Sequence, residues 1–195
     1  MADWASVDYV IEGPKEELLR IKEAIQHPVI TPNSSDVWEG DVLDTLDIGW
    51  EKGKHYMIGF ILDTDLIEFN PDTNDTLTFY AEEAWGVTDF HKLLEEGIPG
   101  IKVYYCVVEE NDGIYATNDK EGKYYSYRGN ADICINNVYN YEEFTTEKSL
   151  YEWLDNKTNG EIKSAEDVEV FNAKHEEVGD DDKNYINIHA YSVIE

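Results

Sequence analysis

The chain has 195 residues, with 43 Asp or Glu against 15 Lys or Arg, and its formal net charge is −28 at pH 7. Binding to a phosphate backbone or to an anionic membrane face needs Lys and Arg that displace counterions, so this composition argues against direct binding to nucleic acid or to membranes. A hydrophobic fraction of 42%, with 14 Tyr, 6 Phe and 5 Trp, is nevertheless enough for a folded core. We expect a protein partner, and a basic partner suits the charge.

The first strand and helix can be read directly from the order of apolar residues. Polar and apolar residues alternate over residues 7–12, which predicts a strand. Gly13 and Pro14 end this strand, and the apolar residues that follow recur at helical spacing. We therefore predict an amphipathic helix that ends near His27.

A short helix and a hairpin are predicted next. The helix covers residues 37–46, with Ser34 or Ser35 as its N-cap. Two strands follow, over residues 56–62 and 76–82, and the turn-rich segment between them predicts an antiparallel pairing.

A second long helix and another strand complete the first half of the chain. Thr88 is a suitable N-cap for a helix that ends at Gly97, and a strand covers residues 101–108. The resulting order is β-α-β-β-α-β. With two helices on one face of an antiparallel sheet, this order is the ferredoxin-like plan, and we predict an α+β fold of that type.

The second half predicts further strands and two capped helices. Short strands over residues 114–117, 124–128 and 131–135 are expected to extend the sheet as a β-meander. Beyond them, Thr146 or its neighbour caps one helix and Ser164 caps another, before a final strand.

These elements predict two parts. A ferredoxin-like domain with its β-meander extension covers residues 1–140. A helix-loop-helix-strand appendage of α/β type covers residues 141–195 and packs on it.

Two stretches resemble the YubB-type ferredoxin-like proteins of bacterial plasmids and other mobile elements. The first is Asp3-Trp4-Ala5-Ser6, followed by a strand and a Gly-Pro helix start, and the second is Leu77–Gly86, in which a Trp closes the third strand. The positions that match the family signature are Trp4, Gly13, Pro14 and Trp85. The usual opening of the family is Asn-Trp-Cys, so no role of that Cys carries over to this chain.

The later half of the chain, including the stretch Ile114–Lys123, also resembles proteins of gut Bacteroidetes mobile regions. Together, these resemblances imply a ferredoxin-like fold over about residues 1–130 and a bacterial cytoplasm. They imply no particular activity.

Other sequence features agree with a cytoplasmic setting. Cys106 and Cys134 are the only cysteines, too few for a disulfide-rich secreted scaffold, and we expect them as buried thiols. The first residues lack the features of a signal peptide, and no apolar run approaches the roughly 20 residues that span a bilayer. We expect a monomer or a homodimer.

Residues 155–166 match a calcium-binding loop at several positions, with Asp155, Asn159 and Glu166 as candidate oxygen ligands. Lys157 occupies a ligand position, where its ammonium group would repel a cation. A helix end at Asn159 followed by a capping box explains the same residues. We therefore predict no metal site and keep this loop as the alternative.

The sequence contains no recognisable catalytic motif. The five histidines lack metal-ligand spacing, and the chain contains no nucleophile elbow, phosphate-binding loop or dinucleotide fingerprint. The adjacent pairs Glu82-Glu83, Glu109-Glu110 and Glu142-Glu143 are interpreted as solvated edges. We predict no catalytic residues and no cofactor.

Tyrosines crowd the strands after the second long helix. We predict that Tyr104, Tyr125 and Tyr127 form an interaction face, because exposed aromatic side chains flanked by carboxylates suit an apolar surface with a basic rim. The alternative is that they are ordinary half-buried strand residues.

Three functions remain open. The first is a non-enzymatic interaction or accessory protein of a bacterial mobile element. The second is an acidic DNA mimic that inhibits a basic nuclease or defence protein, which requires carboxylates gathered on one face, because even spreading gives only about half the charge density of duplex DNA. The third is an enzyme of unknown class.

Overall fold

The computed structural model describes residues 3–29, 35–111, 113–176 and 184–194. Over these residues it is a mixed α/β protein with a seven-stranded sheet and five α-helices. Its contacts divide the chain into an N-terminal unit, Met1–Lys120 with Val193–Glu195, and a C-terminal unit, Glu121–Ser192. Each unit has its own hydrophobic core. None of the helices in the described ranges is both long and apolar enough to cross a bilayer.

The N-terminal unit alternates strands and helices. Its elements are β1 (Trp4–Glu12), α1 (Lys15–Gln26), β2 (Val37–Trp38), α2 (Glu39–Thr45), β3 (Gly59–Ile61), a 3-10 turn (Thr64–Leu66), β4 (Thr76–Ala84), α3 (Phe90–Gly97), β5 (Lys102–Glu109) and β6 (Ile114–Thr117). The strand order in the sheet is β10-β6-β5-β1-β4-β3-β2, where β10 is Ser192–Val193. The pairings of β1 with β4 and β5, and of β3 with β4, are antiparallel.

The core lies under one face of this sheet because the strands alternate. On β1, Val7, Tyr9 and Ile11 are buried while the residues between them are more exposed, and Tyr9 lies opposite Phe79 on β4. Apolar residues of α1, α2 and α3 pack against the same buried positions. The predicted first strand, the first helix and the antiparallel pairing of the two hairpin strands are confirmed.

The predicted helix over residues 37–46 is corrected at its start. Val37 and Trp38 form β2 and pair with β3, so the helix begins only at Glu39. No side chain caps it, and Ser34 lies outside the described residues. The strand predicted over residues 56–62 is also shorter, because the backbone N–H of Tyr56 donates to Asp89 Oδ2 at 2.8 Å instead of entering the sheet.

The predicted β-meander is wrong beyond its first strand. β6 pairs with β5 as expected, but residues 124–128 form no strand. The next strand, β7 (Gly129–Ile135), belongs to a separate three-stranded sheet with the order β8-β7-β9. The reason is packing, since Ala131 and Ile133 are buried in the second core and not in the first.

The C-terminal unit consists of this small sheet and two helices. Its elements are β7, β8 (Val138–Phe144), α4 (Glu147–Lys157), α5 (Ala165–Glu176) and β9 (Tyr185–Ala190). The predicted caps form: Thr146 Oγ1 accepts from Ser149 N at 3.1 Å, and Ser164 Oγ accepts from Asp167 N at 3.3 Å. The division at residues 120 and 121 differs from the predicted division at residues 140 and 141, because β7 and β8 pair with β9.

Candidate functional site

Two glutamates, which we call the carboxyl pair, lie inside the core of the N-terminal unit. Glu39 and Glu83 are both fully buried, at 0% exposure. Glu83 continues the inward alternation of Leu77 and Phe79 along β4. Glu39 opens α2 on the side that also buries Val42. A buried charge is costly unless it is paired, so two adjacent buried carboxyl groups require neutralisation.

Three hydrogen-bond donors face the four oxygens of the carboxyl pair. Tyr9 Oη donates to Glu83 Oε1 at 2.6 Å, and the backbone N–H of Thr88 donates to Glu83 Oε2. Thr88 Oγ1 donates to Glu39 Oε2 at 2.8 Å. The fourth oxygen, Glu39 Oε1, is buried and receives no hydrogen bond from any residue that the structure describes. The two carboxyl groups also lie within hydrogen-bonding reach of each other.

Burial raises the pKa of both carboxyl groups. For Glu39, burial is the largest cause and the charge of Glu83 the second, and the pKa rises well above its ordinary value. Burial also raises the pKa of Glu83, but hydrogen bonds from Glu39, Tyr9 and Thr88 oppose the rise. Hydrogen bonds to a carboxylate favour its charged form. These opposed effects make Glu39, and not Glu83, the carboxyl group of the pair that binds a proton more readily.

Among the described residues, the side chains around the pair supply no compensating positive charge. Burial lowers the pKa of His91 on α3 to about 4, so the ring is neutral at neutral pH. Its Nδ1–H donates to the carbonyl oxygen of Thr88 at 2.9 Å. Burial, followed by the charges of Glu83 and Glu39, raises the pKa of Tyr9 well above its ordinary value. One proton shared between the two carboxyl groups is the simplest source of neutralisation.

The carboxyl pair is closed to solvent and tightly packed. Gly59 on β3 lies against Glu39, and a Cβ at Gly59 would come within 2.7 Å of both carboxyl oxygens. A substrate in solvent therefore meets neither carboxyl group in this conformation. The arrangement can hold and exchange a proton, whereas acid–base catalysis on a substrate would first require opening.

Large apolar side chains lie exposed on the opposite face of the same strands. Trp4 lies opposite Ala84 on β4, and Phe60 lies opposite Glu82. The rings of Trp4 and Phe60 flank β4 with their centroids 6.0 Å apart, and 43% and 39% of these residues are exposed. We define the aromatic surface as these two residues together with two more exposed residues at the same end of β4, Ile58 and Trp85.

Trp85 adopts an unusual backbone conformation. Its φ is 53°, in the left-handed region, and Gly86 follows with φ of 109°. For a bulky residue this conformation costs roughly 1–2 kcal/mol. Its backbone N–H donates to the carbonyl oxygen of Asp3 at 2.7 Å, beside Trp4. The chain therefore holds a strained, half-exposed Trp next to the start of β1.

The residues of the family signature occupy two places. Trp4 and Trp85 belong to the aromatic surface. Gly13 and Pro14 join β1 to α1, and a Cβ at Gly13 would lie 2.8 Å from Ile101 Cγ2. The carbonyl oxygen of Pro14 accepts from Leu18 N at 3.0 Å and so starts the helix.

The three predicted interaction tyrosines do not share a face of the sheet. Tyr104 lies on β5, is only 8% exposed, and has Lys102 Nζ 4.6 Å from its ring centroid. Tyr125 and Tyr127 lie in the C-terminal unit, in the irregular segment before β7. Their carbonyl oxygens accept from Arg128 Nη1 at 2.6 and 3.0 Å. The predicted placement on one exposed sheet face is wrong, because this segment does not join the large sheet.

The calcium-loop candidates lie where α4 ends and α5 begins. Asp155 is in α4, Asn159 has a φ of 54° in the turn, and Glu166 is in the first turn of α5. Gly160 N donates to the Asp155 carbonyl oxygen at 2.8 Å, and Lys163 Nζ lies 3.7 Å from Asp155 Oδ1. Within the described ranges, no three His, Cys, Asp or Glu side chains are arranged to hold a metal ion.

Sequence reasoning missed the carboxyl pair, although a signal for Glu83 was present. Extending the alternation of Leu77 and Phe79 by two steps along β4 places Glu83 inward, so the interpretation of Glu82-Glu83 as a solvated edge is wrong for Glu83. Glu39 has a weaker signal, since it precedes Val42 by one helical turn. Both cysteines are free and half-buried, not buried.

Comparisons with known proteins add no relative. No protein-family model matches the chain, and neither the curated proteins nor the solved structures contain a match. The resemblance to YubB-type proteins therefore stays a prediction.

Proposed function

We propose that this is a non-enzymatic interaction protein that binds a partner protein through the aromatic surface. The observation that carries the proposal is the contact between Trp4 and Phe60, two large rings that remain half-exposed on an open sheet face. Aromatic residues of this kind supply much of the binding energy in protein interfaces. The strained backbone of Trp85, which belongs to the aromatic surface, supports a binding role for this surface, because backbone strain is common at functional sites.

The charge of the chain defines the chemistry of the partner. The net charge is −28, Asp3 precedes Trp4 in the chain, and Glu82 pairs with Phe60 in the sheet. The fitting partner is a protein with an apolar centre and a basic rim. Complementary charges accelerate association and make it sensitive to salt.

The carboxyl pair favours this proposal over an enzyme. Two adjacent carboxyl groups with raised pKa values are typical of acid–base catalysts. Both carboxyl groups are nevertheless at 0% exposure, out of reach of a substrate in solvent. Its donors and its packing suit a structural role for Glu39 and Glu83.

The finer description of the fold is also a proposal. We infer that the N-terminal unit is a ferredoxin-like domain, which is supported by the strand order β5-β1-β4-β3 and by the connections through α1 and α3. A role as an accessory protein of a bacterial mobile element, acting in the cytoplasm, rests on the sequence resemblance alone.

Affinity capture followed by reconstitution tests the function. Wild-type protein, a Trp4→Ser/Phe60→Ser variant and a Leu66→Ser control would be used to capture proteins from a bacterial lysate. Leu66 is 73% exposed in the 3-10 turn and lies outside the aromatic surface. Each protein captured by the wild type would then be purified and its dissociation constant measured with all three proteins.

We expect a basic partner whose affinity falls at least about tenfold in the double variant, equivalent to about 1.4 kcal/mol, and is unchanged in the control. Circular dichroism and thermal unfolding would verify that both variants fold. If every purified partner binds the double variant as tightly as the wild type, the aromatic surface is not the binding site.

A further inference from the structure

The carboxyl pair connects three elements of the N-terminal unit. Glu39 belongs to α2, Glu83 belongs to β4, and Gly59 of β3 lies opposite Glu83 in the sheet. Gly59 also packs directly on the Glu39 carboxyl group. Any change in the charge of the pair therefore acts on β3, which carries Phe60 of the aromatic surface.

We propose that Glu39 and Glu83 share one proton that holds α2 and β3 against β4, and that release of this proton as the pH rises loosens β3. The loosening of β3 depends only on the buried carboxyl pair and not on the proposed docking function. A consequence for partner binding rests on the proposed function, because it requires the aromatic surface to be the docking site.

The count of donors supports a proton. Three donors face the pair from Tyr9 and Thr88, and the remaining oxygen, Glu39 Oε1, is buried without a partner in the described structure. A proton shared by the two carboxyl groups removes one of the two negative charges and lets one carboxyl group donate to the other. An unsatisfied buried polar atom would otherwise carry its full desolvation cost.

A metal ion fits this place less well than a proton. Gly59 leaves so little space beside Glu39 that even a methyl group would overlap the carboxyl oxygens. Hard cations such as Ca²⁺ and Mg²⁺ prefer six or more oxygen ligands at roughly 2.0–2.6 Å. A coordination shell of that size needs more space than Gly59 leaves beside Glu39. The described side chains contain no group of three metal-ligating residues at this place or elsewhere.

The titratable groups that face the pair do not replace the proton. Tyr9 on β1 and Tyr105 on β5 have pKa values raised chiefly by burial, so they stay neutral. The same holds for Tyr56, which precedes β3. His91 on α3 is also neutral at neutral pH. A hydrogen bond from the backbone N–H of Tyr56 lowers the pKa of Asp89, which therefore adds negative charge nearby.

Strand β3 should open locally at a lower free energy than the central strands of the sheet. It has only three residues, and its register with β4 consists of three pairs, from Gly59↔Glu83 to Ile61↔Ala81. Its other neighbour, β2, has two residues. Short edge segments with few hydrogen bonds open locally at lower free energy than the centre of a sheet. Two adjacent negative charges beneath Gly59 would therefore displace β3 before the central strands.

The test compares Glu39→Gln with the wild type and with Glu68→Gln. The amide of Gln at position 39 can donate permanently to Glu83 and accept from Thr88 Oγ1, so it imitates the protonated pair. Glu68 is exposed and lies outside the carboxyl pair, so Glu68→Gln makes the same chemical substitution at the surface. Hydrogen exchange of the β3 amides, corrected for the intrinsic pH dependence of exchange, would be measured from neutral to alkaline pH.

We expect protection of β3 to fall with rising pH in the wild type and in Glu68→Gln, and to stay constant in Glu39→Gln. Infrared spectroscopy of the wild type should detect a protonated carboxylic acid at neutral pH that titrates in parallel. Absence of that acid band would overturn the proposal, even if Glu39→Gln failed to fold. Equal pH dependence in all three proteins would overturn it as well.

Two further arms separate the alternatives. If a chelator removed the protection of β3 at constant pH and Ca²⁺ or Mg²⁺ restored it, a cation and not a proton would bind the pair, and the proposal would be wrong. With a purified partner, wild-type affinity should weaken at alkaline pH while that of Glu39→Gln does not. If β3 loosens but the affinity for the partner does not change, the shared-proton proposal stands and the proposed docking function is contradicted.

Discussion

The two glutamates of the carboxyl pair should respond differently to the same substitution. In the shared-proton proposal, Glu39 carries the proton, so Glu39→Gln replaces one neutral group by another that keeps a donor toward Glu83. Glu83 accepts from Tyr9 Oη and from the Thr88 backbone N–H. In Glu83→Gln, the NH₂ group must face one of these two donors. The structure therefore predicts a tolerated change at position 39 and a destabilising change at position 83.

The magnitudes follow from the hydrogen bonds and from proton linkage. Glu83→Gln loses one hydrogen bond and leaves a buried donor poorly satisfied, which costs about 1–3 kcal/mol of unfolding free energy. At neutral pH, Glu39→Gln should raise the unfolding free energy and not lower it, because the wild type must protonate Glu39 on folding and Gln has no such cost. Because the pKa of Glu39 is raised on folding, the wild type loses stability as pH rises toward that pKa, by up to about 1.4 kcal/mol per pH unit, and Glu39→Gln does not.

Urea unfolding monitored by circular dichroism at neutral and alkaline pH measures these differences. Glu68→Gln serves as the control, since it removes one exposed negative charge from the same unit. The reasoning would be refuted if Glu39→Gln cost as much as Glu83→Gln at neutral pH. It would also be refuted if the difference between wild type and Glu39→Gln did not change with pH.

Three further predictions concern packing, strain and charge. Gly59→Ala should lower the unfolding free energy by about 1–3 kcal/mol in urea titrations, because the new Cβ would overlap the Glu39 carboxyl group; an unchanged midpoint would contradict that packing. Trp85→Asn should weaken partner binding while changing stability by less than about 1 kcal/mol, since Asn tolerates the left-handed conformation; calorimetry of both quantities would detect the opposite result. The melting temperature should rise from low to moderate NaCl, because screening relieves repulsion at a net charge of −28, and calcium at matched ionic strength should add no more than magnesium; a calcium shift that disappears in Glu166→Gln would establish an ion site.

Local patterns in the sequence predicted local structure well. The alternation in β1, the helical spacing in α1 and the caps at Thr146 and Ser164 all depend on residues within a few positions of one another. The antiparallel pairing of β3 with β4 also followed from a turn-rich connection. These features required no knowledge of distant contacts.

The sequence predictions were wrong where contacts between distant residues determine the structure. β7 belongs to a separate sheet because its apolar residues pack in a second core. The periodicity within residues 129–135 cannot show which core these residues join. Tyr104 is buried although it lies on the outward-facing side of β5, so its exposure could not be judged from alternation alone. The carboxyl pair joins residues 44 positions apart, and a preference for solvated carboxylates outweighed the inward alternation that indicated Glu83.

Chemical-shift mapping with a purified partner tests the proposed docking function most directly. The partner would be titrated into ¹⁵N-labelled protein, which at 22.5 kDa is within the range of amide spectroscopy. We predict that the largest perturbations cluster at Trp4, Ile58, Phe60 and Trp85, and that they are absent with Trp4→Ser/Phe60→Ser at the same concentrations. Perturbations confined to other residues, with these four unaffected, would contradict the account.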